Sequence, residues 1–203
     1  VRHQLKNVLN VQATTDAFAA ILSDGSVVTW GDPHCGGDSS EFHDALSNVQ
    51  QVQSTDGAFA AVLADGSAVI WGLPRNCDSS LVRHQLRSVK QVQSTFFAFA
   101  SILADGSVVS WGDPRYGGDS SAVQEQLRRV QQVQATSAAF AAILADESVV
   151  AWGDPQCGGD SSAVQGQLRS VHQVLSSPRA FAAIRADGSV VTWGDPDAGG
   201  DSS

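Results

Sequence analysis

The stretch Phe140-Ala-Ala-Ile-Leu-Ala-Asp-Glu-Ser-Val-Val-Ala-Trp-Gly-Asp-Pro155 occurs five times in this chain in nearly the same wording. The other copies start at Phe18, Phe59, Phe99 and Phe181, and Trp30, Trp71, Trp111, Trp152 and Trp193 follow one another at 41, 40, 41 and 41 residues. A fixed period of this size marks a repeat architecture. Each unit is a supersecondary block that cannot bury its apolar face alone, and stacking the blocks builds a shared core. Five units without a linker in 203 residues predict one repeat domain, 1–203, with units at 1–40, 41–80, 81–121, 122–162 and 163–203. The first and last units begin and end at nearly the same phase. That suits a ring whose ends meet, or a block from a longer array.

Within unit 4, Asp119-Ser-Ser121 followed by Gln124 has the spacing of a helix capping box. Val123, Leu127 and Val130 then fall at i, i+4 and i+7 and predict about two helical turns. The same triplet recurs as Val1, Leu5, Val8; Phe42, Leu46, Val49; Val82, Leu86, Val89; and Val164, Leu168, Val171. Three strands should follow, at about 130–136, 140–144 and 148–152. The last two are joined by Asp-Gly in four units and by Asp146-Glu147 in unit 4, which predicts a type I′ hairpin. Glu147 in the glycine place should cost roughly 1 kcal/mol.

Both faces of the second strand are apolar: Phe140, Ala142 and Leu144 on one, Ala141 and Ile143 on the other. A sheet apolar on both sides has to be sandwiched. Radial stacking does this, and the predicted fold is an all-β propeller of five three-stranded blades with short helical connections. The ring is either closed at five or an open part of a larger one; a linear solenoid with polar end caps is the competing picture. Leu22, Leu63, Leu103 and Leu144 share a position that is Arg185 in unit 5. A charge there predicts a less covered last unit, although its aliphatic stem would let it snorkel from a closed one.

A net charge of −9 counts against nucleic acid, which is held chiefly by Lys and Arg. No apolar run approaches the roughly 20 residues of a membrane helix, so no transmembrane segment is expected. The chain lacks an initiator Met and a signal-like start, and reads as a mature form or a fragment. Cys35, Cys77 and Cys157 lie a repeat or more apart, which makes neither a disulfide framework nor a metal tetrad and favours an intracellular, reducing compartment. No phosphate loop, metal-spaced histidine pair or nucleophile elbow is present, so neither an enzyme nor a cofactor is expected. His3, His43, His84 and His172 read as solvated surface. Asp32, Asp113, Asp154 and Asp195, with the Gly-Gly-Asp loops, lack the ligand count of a calcium loop.

The core Phe-x-x-x-Leu-x-Asp-Gly-Ser-Val-x-x-Trp-Gly, followed by a turn such as Tyr116-Gly-Gly118, resembles the repeat of the regulator-of-chromosome-condensation-type propellers over the whole chain. It differs in three respects. The unit is shorter than usual, closer to that of propeller-type β-lactamase inhibitor proteins. The family's Gly pair and His before the second strand are replaced by stretches such as Thr136-Ser-Ala-Ala139. The familiar ring has seven blades. The wording also resembles repeats abundant in dinoflagellate proteins labelled ubiquitin-ligase-like. The resemblance implies a recognition scaffold, and the family spans guanine-nucleotide exchange, chromatin binding, ligase accessory domains and enzyme inhibition.

Positions that are constant across the units serve the fold, and positions that vary are free to serve a partner. The five tryptophans are therefore expected in the core, and Asp38, Asp78, Asp119, Asp160 and Asp201 as caps. Two loops vary. The one before the second strand carries Thr15-Asp16, Asp56-Gly57, Phe96-Phe97, Ser137-Ala138 and Pro178-Arg179. The one after Trp-Gly-x-Pro carries His34-Cys35, Arg75-Asn76-Cys77, Arg115-Tyr116, Gln156-Cys157 and Asp197-Ala198. Aromatic and Arg residues in exposed loops are the usual anchors of protein interfaces. Phe96, Phe97, Arg115, Tyr116, Arg75, Arg179 and Arg185 are the candidate partner-binding residues. For Phe96 and Phe97, filling of a local gap is the equal alternative. The expected function is a non-catalytic scaffold for protein partners, as a subunit of a larger assembly such as an organellar membrane complex. The alternatives are a ligase substrate-recognition domain, an exchange factor or an enzyme inhibitor.

Overall fold

Each forty-residue unit folds into one antiparallel three-stranded sheet, and the five sheets pack face to face. The computed structural model describes residues 3–73 and 78–202. Blade 1 holds β1 (Val8–Ala13), β2 (Ala17–Leu22) and β3 (Val27–Gly31), and blade 2 holds β4 (Val49–Ser54), β5 (Ala58–Leu63) and β6 (Ala68–Gly72). Blade 3 holds β7 (Val89–Ser94), β8 (Ala98–Leu103) and β9 (Val108–Gly112), and blade 4 holds β10 (Val130–Ala135), β11 (Ala139–Leu144) and β12 (Val149–Gly153). Blade 5 holds β13 (Val171–Ser176), β14 (Ala180–Arg185) and β15 (Val190–Gly194). This is the β-propeller expected from the repeat.

The register explains the packing. Phe140 pairs with Trp152 across β11 and β12, and the rings stack at 5.2 Å. That pair, with Val133 and Ala142, faces blade 3, while Ala139, Ala141, Ile143 and Val149 face blade 5. Period-two alternation therefore gives each blade a front face built on Phe and Trp and a back face built on Ala, Ile and Val. Four such seams join the five blades in sequence order. Each buries a Phe and a Trp, the two largest buried side chains of the joint.

The ends of the series are uncovered. Phe18, on the front of blade 1, is 43 % exposed where Phe59, Phe99 and Phe140 are 0 % exposed. Val190, on the back of blade 5, is 52 % exposed where Val149 is 0 %. The five blades thus form an open arc.

The connections depart from the sequence reading. The predicted helix is a 3₁₀ turn of three residues, such as Ser121–Val123, followed by tight turns, and Val130 already belongs to β10. Leu127 and Val130 are buried nonetheless, because turn and strand start deliver them to the same seam. The capping box is also replaced. The Asp119 carboxylate accepts from the Ser121 N–H at 2.8 Å, and Gln124 instead accepts from Ser120 Oγ and donates to the Val108 carbonyl. Asp38, Asp78 and Asp160 cap in the same way.

The hairpin between the second and third strands is a three-residue loop, not type I′. The Gly25 N–H donates to the Leu22 carbonyl and the Leu22 N–H to the Ser26 carbonyl, and Gly25 alone carries a positive φ (78°). A turn closed by one left-handed residue needs only one glycine. Added bulk at Gly25 would also meet Asn48 Cα at 2.8 Å, so this glycine admits the entry of the next blade.

Candidate functional site

Both variable loops leave the same rim of the arc. The first and second strands of each blade turn back there, and the third strand ends there, so sheet topology places the two loops side by side. A hydroxyl fastens them in blades 1, 3, 4 and 5. Thr14, Thr95, Thr136 and Ser177 donate to the carbonyls of Cys35, Tyr116, Cys157 and Ala198 at 2.9–3.1 Å. The same oxygen accepts from the N–H that opens the second strand, for example Ala139 at 3.0 Å. The recurrent hydroxyl three residues before that strand was legible in the sequence, and its role as a clasp between loops was not.

The inner loops converge on a central funnel of about 580 Å³ lined by residues of all five blades. Its wall includes Thr15, Asp56, Phe96, Ser137 and Pro178, one from each blade. These five form a backbone ladder across the arc. The N–H of Thr15 donates to the Asp56 carbonyl (2.9 Å), Asp56 to Phe96 (2.7 Å), Phe96 to Ser137 (3.0 Å) and Ser137 to Pro178 (2.8 Å). The ladder stops at Pro178, which has no N–H to donate. Outside it, Ser54, Ser94 and Ser176 each donate to a carbonyl of the preceding blade at 2.7–2.8 Å.

The candidate residues separate into groups. Phe96 projects from the ladder with 54 % of its surface exposed. Phe97 turns the other way and meets Tyr116 edge to face at 4.6 Å, and Tyr116 in turn packs against the seams on both sides of blade 4. Arg115 lies on the same rim, forked onto Asp113, whose carboxyl it holds below its ordinary range chiefly by side-chain hydrogen bonding. Arg179 sits beside the funnel and pairs with Asp195 at 2.8 Å. Phe96, Phe97, Arg115, Tyr116 and Arg179 thus share one rim. Arg75 and Cys77 lie outside the described residues.

Arg185 belongs elsewhere. It ends β14 at the opposite rim, where its guanidinium reaches the Arg169 carbonyl and Ser189 Oγ and lies 3.6 Å from Asp187. Its strand position faces blade 4, so it does not mark the uncovered side of the last blade, which is the back face. Its aliphatic stem extends past the seam to place the charge in water.

The funnel's described lining is rich in hydroxyls, with one carboxylate, Asp56, and no histidine, lysine or cysteine. Several of those hydroxyls are committed to the loop clasps. Burial, together with the nearby Asp32, Asp16 and Asp56, pushes the Cys35 thiol up; burial likewise raises Cys157, beside Asp154. Both thiols are thereby held in the protonated, less nucleophilic form. Among the described residues no three His, Cys, Asp or Glu side chains cluster as a metal would require, and no helix is long and apolar enough to cross a membrane.

An arc of three-stranded repeat blades with divergent loops on one rim defines a β-propeller of the RCC1-like class. No family description matches the sequence, and no curated protein is significantly similar to it. Solved structures match the fold. Yeast RCC1 (Prp20), in its complex with Kap60, superposes with a TM-score of 0.63 at 16% identity, covering 96% of this chain and 57% of that one. Prp20p of Saccharomyces cerevisiae, studied for its binding to Gsp1p and histones, gives 0.60 at 17%, covering 92% and 58%. Human WBSCR16 gives 0.56 at 15%, covering 92% and 61%. The chain therefore has the RCC1-like fold and spans about three fifths of the length of these neighbours.

Proposed function

We infer that the chain is a non-catalytic protein-interaction module, an accessory subunit that docks on a larger assembly through the rim carrying its variable loops. The observation that supports this most is the segregation of variation. Five nearly identical frames carry the described variable loops on one rim, and there Phe96 stands exposed while its counterparts are Thr15, Asp56, Ser137 and Pro178. An exposed aromatic ringed by polar neighbours, with arginines at the margin, has the composition of an interface anchor. Yeast RCC1 of the same fold is described with Kap60, Gsp1p and histones as partners, which supports protein rather than small-molecule recognition.

The test is affinity capture from the source tissue with the wild-type chain, Phe96→Ser and Phe97→Ser. Phe96→Ser should lose the partner and melt within about 1 °C of wild type, since exposed substitutions shift stability little. Phe97→Ser should melt lower, because Tyr116 loses its ring contact. Equal capture by wild type and Phe96→Ser would remove this rim from the account. A captured GTPase whose nucleotide release accelerates would convert the reading to an exchange factor.

A further inference from the structure

The same two faces meet four times within the chain, and one of each kind is left over. At every internal seam the back of one blade seats on the front of the next; at three of the four the tryptophan Nε1 donates to a glycine carbonyl of the preceding blade, whereas Trp111 Nε1 has no partner among the described residues. The Val49 N–H donates to the Gly25 carbonyl, Trp71 Nε1 donates to the Gly36 carbonyl, and a Cβ at Gly36 would lie 2.7 Å from the Phe59 ring. The unused front belongs to blade 1 and the unused back to blade 5.

Both free faces are shaped as seam halves. Asn7, at the entry to blade 1, has φ 53°, as does Asn48 at the first internal joint, and Ser88, Arg129 and Ser170 lie at 55–57°. Gly188 and Gly199, the counterparts of Gly25 and Gly36, have no atom within 4 Å of where a Cβ would sit. The Phe18–Trp30 stack is formed at 5.2 Å, as its buried siblings are, with Phe18 open to water.

Both ends keep apolar side chains in water. On the free front, Val11 is 46 % exposed where its counterparts Val52, Val92, Val133 and Val174 are buried. Leu175, 50 % exposed, stands on the free back face in place of Gln12, Gln53, Gln93 and Gln134. A blade face that stays in water requires a polar surface. Phe18, Val11 and Leu175 run in the other direction.

We propose that the two end faces bind each other between copies of this chain, the back of blade 5 seating on the front of blade 1 of a second copy. The occupant is a second copy because each free face is the counterpart of the other in the pairing the chain makes in full at three internal seams. In that seam the Val8 N–H meets the Gly188 carbonyl, Trp30 Nε1 meets the Gly199 carbonyl, and Phe18 fills the space beside Gly199. One internal feature is missing: Pro178 has no N–H for the Thr15 carbonyl of the next copy. The contact is heterologous, head to tail, and growth ends only if the geometry closes.

Sedimentation of the 203-residue chain over a range of concentrations tests this. The wild type should grow beyond single-chain mass as concentration rises. Phe18→Glu, on the front face, and Leu175→Glu, on the back, should each stay at single-chain mass. An equimolar mixture of the two should give pairs at twice that mass and nothing larger, because one intact seam remains. Should Phe18→Glu fail to fold by circular dichroism, Val11→Glu, at a position buried in every internal seam, takes its place. A wild type that stays single at every concentration, growth indifferent to the substitutions, or variants that do not complement one another would each overturn the proposal.

Discussion

Glu147 is the one residue with a side chain at a hairpin position that is otherwise glycine, and it adopts φ 64° there. The left-handed region costs a residue with a Cβ roughly 1–2 kcal/mol, offset in part by the greater chain entropy that glycine loses on folding. Glu147→Gly should therefore stabilise the protein by about 1 kcal/mol, read as a higher urea midpoint with unchanged slope. An unchanged midpoint would mean that the joint to Ser170 has already relaxed around the side chain. The sequence alone identified this position, because its four siblings are glycine. It could not separate Phe96 from Phe97. Their different surroundings depend on Tyr116, which reaches Phe97 through a loop clasp formed about twenty residues later in the chain.

The hairpins carry a further consequence at the level of the element. Asp24, Asp65, Asp105, Asp146 and Asp187 each accept from the hydroxyl and the N–H of the serine two residues on, with the hydroxyl bond the larger influence, and each is held below its ordinary value of 3.8. A carboxylate depressed in the folded state stabilises it fully above the unfolded pKa, and that contribution fades as pH falls through the folded one. The melting temperature should thus hold steady down to about pH 5 and fall below about pH 4. Asn at all five positions should lower the plateau and flatten the acid limb; an unaltered acid limb would place the sensitivity elsewhere. The strands were legible because period-two apolar alternation and Asp-Gly punctuation act locally. The helix was misread because Val123, Leu127 and Val130 reach one seam through a 3₁₀ turn and a strand start, which reproduces helical spacing without a helix. Arg185 does not itself mark the free side of the last blade: which side is free depends on the order of packing, and alternation within a strand does not encode that.

Across the molecule, stability should be graded from the middle outward, since each blade contacts only its neighbours. β8 is covered on both sides, whereas β2 is covered on one. Amides of residues 98–103 should exchange with deuterium at least ~10-fold more slowly than those of residues 17–22, and uniform protection would mean that the arc unfolds as a single cooperative unit. Pro178 sets a limit of a different kind. A joint between two molecules forgoes a bond that every joint within one molecule possesses, so on dilution or warming the assembly should come apart reversibly while its subunits remain folded. One imino acid at the axis thereby separates the strength of the subunit from the strength of whatever it builds.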